Sequence, residues 1–154
     1  MIAPKVFALG SLVAGAIAGP VTAPSPVSEA EFNDIVKRAE GIHLVNCKDG
    51  ATNIYSVVVY CANDSNCNFR PSSSNACYPT SGVMAWEGGG QSCGFSTGVY
   101  FSWNIQSDAQ TKANYSKVGT GGNGFRDYTI YKDDQHHMYT DSDGHSCKSI
   151  YYAV

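Results

Sequence analysis

Leucine, glutamate and long apolar runs are all scarce beyond residue 38. Only Leu44 remains of the leucines and, after Glu40, only Glu87 of the glutamates. Both types favour helices, so their scarcity argues against a helical domain. A membrane-crossing helix needs about 20 apolar residues; no segment after residue 18 supplies them, and no membrane span is expected. Basic residues are few as well. Residues 39–154 hold seven Lys and Arg against ten Asp and Glu, a net charge of −3, with no basic cluster. Nucleic-acid and anionic-membrane binding, which favour clustered Lys and Arg, are therefore not expected.

What is present begins with an address. Residues 1–5 are short and positively charged, and residues 6–18 form an apolar run ending in Ala16-Ile17-Ala18. This is the pattern of a secretory signal peptide, cut after Ala18. Residues 19–38 read as a prosegment ending in the dibasic pair Lys37-Arg38, after which secretory-pathway proteases cut. A competing reading makes 28–39 a first helix, because Ser28 and Glu31 form a capping box and Phe32, Ile35, Val36 and Ala39 recur at helical spacing. Cleavage is favoured because so short a helix needs docking to be stable. The remaining 39–154 suit one domain, secreted and extracellular, with a monomer expected.

All six cysteines, Cys47, Cys61, Cys67, Cys77, Cys93 and Cys147, follow the dibasic pair. An even count in a secreted chain predicts three disulfides. Zinc sites use closer Cys pairs than Cys61 and Cys67, the nearest here. Six cysteines admit fifteen pairings, which sequence does not decide; the working assignment is Cys61–Cys67, Cys47–Cys77 and Cys93–Cys147. Asn63-Asp-Ser and Asn114-Tyr-Ser are N-glycosylation acceptors.

Valine, isoleucine, threonine and ten tyrosines suit pleated surfaces, and glycine clusters suit turns. An all-β domain follows, a small disulfide-linked antiparallel barrel or sandwich with at most one short helix. Strands are expected at 42–47, 54–61 (covered on both faces), 83–86, 91–96, 99–105, 127–131, 135–140 and 146–152, the last three as a meander. Val99, Phe101, Trp103 and Ile105 alternate onto one face and are expected in the core. A helical turn is expected within 106–117 over the barrel end, and 119–124 reads as a glycine loop. Residues 62–80 are a long polar loop tied down by Cys67 and Cys77.

No motif establishes a reaction, and no catalytic residue is assigned. Gly119, Gly121 and Gly124 match a dinucleotide fingerprint, but a strand rather than a helix is expected to follow. Gly90-Gln-Ser92-Cys-Gly94 matches a nucleophile elbow, which belongs to a large α/β sheet. Asp133, Asp134, His136, His137, Asp141, Asp143 and His145 are the densest set of potential metal ligands, yet adjacent His136 and His137 should face opposite ways on a strand. Turn acids and edge histidines explain the set; neither metal nor cofactor is expected. The enzymatic alternative is a ribonuclease-like hydrolase with Glu87 as base, Arg126 on the phosphate and His136, His137 or His145 as acid. An aromatic recognition face would draw on Trp86, Tyr100, Tyr128, Tyr131, Tyr151 and Tyr152.

The stretch Trp86-Glu-Gly-Gly-Gly-Gln-Ser-Cys93, the Gly-rich stretch to Phe125, Lys132-Asp-Asp-Gln, Asp143-Gly, Cys147 and Ser149-Ile-Tyr-Tyr152 resemble small cysteine-rich secreted proteins of filamentous fungi. Among these the chain resembles the hypersensitive-response-inducing protein elicitors of plant-pathogenic fungi, in pattern and size across residues 39–154. The resemblance implies a compact disulfide-linked barrel that reaches the plant apoplast and triggers defence or cell death. It implies that the protein acts there by being recognised or by binding a host component, the partner being a host plant protein or cell-wall component. It supplies no active site.

Overall fold

The computed structural model describes residues 40–154; the signal-peptide, prosegment and Lys37-Arg38 readings lie outside the described residues. Among the described residues, nine strands form one antiparallel, nearly closed sheet: β1 (Gly41–Asp49), β2 (Thr52–Cys61), β3 (Ala76–Cys77), β4 (Gly89–Gly94), β5 (Tyr100–Ile105), β6 (Lys117–Gly122), β7 (Asp127–Lys132), β8 (His137–Thr140) and β9 (Ser146–Ala153). The strand order is β3-β2-β1-β9-β7-β6-β5-β4, with β8 added beside β9. Of the expected all-β barrel or sandwich, the fold observed is the barrel-like one.

A sheet ending in β3 and β4 has two edges to protect, and the Cys77–Cys93 disulfide joins them. Because β3 pairs only with Val58 and Val59, the seam beside the rest of β2 needs other cover. Residues 82–86 supply it: Ser56 N–H donates to the Gly82 carbonyl (3.1 Å), Met84 N–H to Ser56 Oγ (2.9 Å), and Trp86 Nε1 to Asn46 Oδ1 (3.0 Å). The strand expected at 83–86 is thus irregular chain, held by side chains as much as by backbone.

Inside the barrel Ile42, Leu44, Val58, Trp86, Phe101, Trp103, Ile105, Ile130 and Tyr151 form the main core. Phe101, Trp103 and Ile105 are buried as expected; Val99 lies just before β5 and is half-buried. The short 3-10 turn Ala109–Thr111 places Ala109 in this core, the helical turn expected at the barrel end.

β1 and β2 are also covered outside. Val45, Cys47, Val57, Val59 and Cys61 pack beneath Cys67, Ala76, Met138, Tyr139 and Cys147. This explains the unbroken apolar run of β2. Cys47 pairs across the sheet with Cys147, and Cys61 with Cys67. Only the last matches the working assignment: Cys47 faces outward on β1, opposite Cys147 on β9, while Cys77 reaches β4 across the seam.

Two further expectations are corrected. Residues 119–122 are strand, not loop, because their neighbours need glycine. A β-carbon on Gly121 would stand 2.7 Å from Phe101 Cζ, and one on Gly119 would overlap the Asn104 carbonyl oxygen. The last three strands are not a meander: β7 pairs with β6 and with the end of β9, while β8 pairs with the start of β9.

Candidate functional site

The residues of the hydrolase reading are not brought together. Glu87 accepts hydrogen bonds from Tyr151 Oη and from Gln110 Nε2 (2.7 Å), bracing the barrel end. Arg126 lies 3.5 Å from Glu40 and 5.0 Å over the Tyr128 ring. Gly88 sits at the level of Ile105, whereas Arg126 precedes the Asp127–Gly122 pair opposite Ser102, about 10 Å further along the strands. His136 bonds Asp134 (2.8 Å), His137 bonds Ser146 (2.9 Å) and His145 bonds Asp141 (2.9 Å). Ser92 stands mid-strand beside the disulfide-bonded Cys93, so the elbow geometry is not formed.

The acids are engaged in turns. Asp141 Oδ1 accepts the N–H groups of Asp143 and His145, and its Oδ2 accepts Tyr55 Oη and His145 Nδ1. Asp134 accepts His136 N–H and Tyr115 Oη. Asn63 and Asn114 are both exposed.

One cluster had no sequence signal beyond a lone histidine in an apolar strand. His43, buried on the outer face of β1, bonds Asp64 through Nε2 (2.8 Å) and Ser149 through Nδ1 (2.8 Å). Asp133 Oδ2 lies 3.7 Å from Nδ1, an ion-pair rather than hydrogen-bond distance. Burial disfavours the imidazolium, but Asp133 and Asp64 outweigh it and raise the His43 pKa. In that state Nε2–H donates to Asp64 and Nδ1–H to Ser149 Oγ, whose hydroxyl passes on to the Tyr151 carbonyl (3.3 Å). The Ser-His-Asp order has the form of a catalytic triad. Ser149, however, is fully buried, with no approach for a substrate. His43 is a latch: it ties the excursion carrying Asp64 and the β7–β8 connection carrying Asp133 onto β1.

The open site is the outer face of β4 to β7. Strand alternation turns Cys93, Phe101, Trp103, Tyr128 and Ile130 inward, leaving Ser92, Ser102, Asn104, Thr120, Asp127 and Thr129 outward. Register aligns them in rows: Ser92–Ser102–Gly122–Asp127, then Gly90–Asn104–Thr120–Thr129. With glycine at Gly90 and Gly122, the floor drops to backbone, and a shallow, wide-open recess of about 770 Å³ results. Among the described residues that line it, Asp127 is the one ionisable outward side chain. Among the described residues, these hydroxyl and amide groups stay out of the side-chain network that engages Asn46, Ser56 and Glu87. Of the aromatics considered for such a face, Trp86, Tyr128 and Tyr151 are buried, Tyr131 and Tyr152 half-buried and mutually stacked, and Tyr100 is exposed.

Comparisons with protein-family models, curated proteins and solved structures returned no match. Among the described residues no helix is long and apolar enough to cross a membrane. The three disulfides accord with an oxidising compartment.

Proposed function

We propose that the protein is a secreted fungal effector or elicitor that acts in the plant apoplast by binding a host component, and so triggers defence or cell death. The observation that carries this reading is the recessed β4–β7 face. Its rows of unengaged hydrogen-bonding groups are mounted on a barrel whose two sheet edges a disulfide joins, a surface organised for recognition. The resemblance in pattern and size supplies the biological setting. The hydrolase alternative gains nothing from the dispersed positions of Glu87, Arg126 and the histidines.

Infiltration of leaves with purified protein tests the proposal. Wild type should produce cell death. Ser102→Arg and Thr120→Arg, exposed positions whose substitution fills the recess, should abolish it while circular dichroism and the thermal midpoint stay unchanged. An inactive wild type overturns the elicitor reading; full activity in both variants overturns the role of this face.

A further inference from the structure

The rim of the recess carries an aromatic platform. A β-carbon on Gly94 would lie 2.8 Å from Tyr100 Cε1 and 3.0 Å from Cζ, so the ring lies down on the backbone of β4 where glycine leaves room. Its other side faces water: Tyr100 is 64% exposed. Tyr100 and Gly94 are register partners, one row beyond Ser92–Ser102. Phe125, 86% exposed, tips the turn joining Gly122 to Asp127 at the same end. The outward face of β5 therefore reads aromatic ring, hydroxyl, amide along Tyr100, Ser102 and Asn104, with rows about 6.7 Å apart and strands about 4.8 Å apart.

We propose that this face binds a neutral β-linked glycan of the host cell wall, one pyranose ring stacked on Tyr100 and the following rings hydrogen-bonded to Ser102, Asn104 and Thr120. The chemistry of the recess selects that class. A stacked aromatic takes the apolar C–H face of a sugar while hydroxyls and amides, each both donor and acceptor, match its hydroxyl groups. Asp127 repels anionic polymers such as pectate or nucleic acid, and one carboxylate is little for a basic peptide. A protein interface would centre on apolar, aromatic or Arg anchors, whereas here Trp103 and Tyr128 lie buried beneath the floor. Tyr100, Ser102 and Asn104 follow one another along β5, so an extended glycan laid along that strand meets ring, hydroxyl and amide in turn. The inference rests on the face being the binding surface proposed above.

Calorimetry on the secreted protein with cellohexaose and xylohexaose tests it, with chitohexaose and a galacturonic acid hexamer as comparators. Binding of at least one neutral wall hexamer is expected, and of the galacturonate at least ten-fold weaker. Tyr100→Phe should keep affinity within about two-fold. Tyr100→Ala and Ser102→Arg should lose at least ten-fold with the thermal midpoint unchanged. Gly94→Ala, which retains the tyrosine but tilts its ring, should also weaken binding. No binding of either wall hexamer, preference for chitohexaose or galacturonate, or wild-type affinity in Tyr100→Ala overturns the assignment. The two proposals separate in leaves. If Ser102→Arg loses elicitation while wild type binds no glycan, the face stands and the ligand class falls. If it loses glycan binding yet elicits normally, the ligand stands and the elicitor role of the face falls.

Discussion

Gly41 lies directly beneath Asp64: a methyl group on its α-carbon would stand 2.9 Å from the carboxylate carbon and overlap an oxygen. The glycine is thus a condition for the Asp64–His43 bond. Gly41→Ala should push Asp64 off the imidazole and leave a buried histidine partly unpaired, costing about 1 to 3 kcal/mol. Urea unfolding measures this; a loss within a few tenths of a kcal/mol would show that Asp64 does not depend on Gly41.

The same latch sets a pH dependence. The folded protein holds the His43 proton more tightly than the unfolded chain, with Asp64, Asp133, Ser149, His136 and Tyr152 around the ring. Its contribution to stability is present below the ordinary histidine value of about 6.5 and is lost as pH rises through the raised value. Carboxylates act oppositely. The Tyr115 hydroxyl, against some opposing burial, and His136 hold Asp134 down to about 2. Burial pushes Asp141 up, but donors from His145, Tyr55 and Asp143 outweigh it and lower its pKa. Their contributions are present above the ordinary aspartate value of about 3.9 and fade as pH falls. The thermal midpoint should therefore peak in mildly acidic solution, and His43→Gln should flatten only the limb above about pH 6.5. An unchanged alkaline limb in that variant would remove His43 from the account.

The disulfides should differ in worth. Sequence separations are 100 for Cys47–Cys147, 16 for Cys77–Cys93 and 6 for Cys61–Cys67. In the chain-entropy description a bridge closing about 100 residues contributes about 4.7 kcal/mol and one closing about 15 contributes about 3 kcal/mol. Paired Cys→Ser variants should lose stability in that order, read as unfolding midpoints in denaturant. A Cys61–Cys67 removal as costly as that of Cys47–Cys147 would contradict it.

Glu87 serves the barrel end. Burial together with the Glu87 carboxylate pushes the Tyr151 hydroxyl pKa well up, so the pair is a neutral phenol donating to a carboxylate. Glu87→Gln should weaken this bond and lower stability by about 1 to 2 kcal/mol, with leaf cell death retained by folded protein. Purified wild type should not cleave RNA. RNA cleavage lost on Glu87→Gln at normal stability would restore the hydrolase reading.

Sequence alone determined the fold class, since β-branched and aromatic residues, scarce leucine and clustered glycine leave little else to build. Alternation placed Phe101, Trp103 and Ile105 in the core, because side chains along a strand must alternate. The disulfide-bonded state was legible too, but not the partners, because pairing depends on which strands become neighbours. Only the tertiary structure put Cys77 and Cys93 on the two edges of one sheet. It also turned the 119–122 glycines into a strand, since the bulk of Phe101 and the Asn104 carbonyl across the sheet left no room for side chains. Asp64, Asp133 and Ser149 met around His43 by chain crossing. Tyr100 could lie flat on Gly94, and the hydroxyl rows could align, only through register, a long-range property that no local pattern carries.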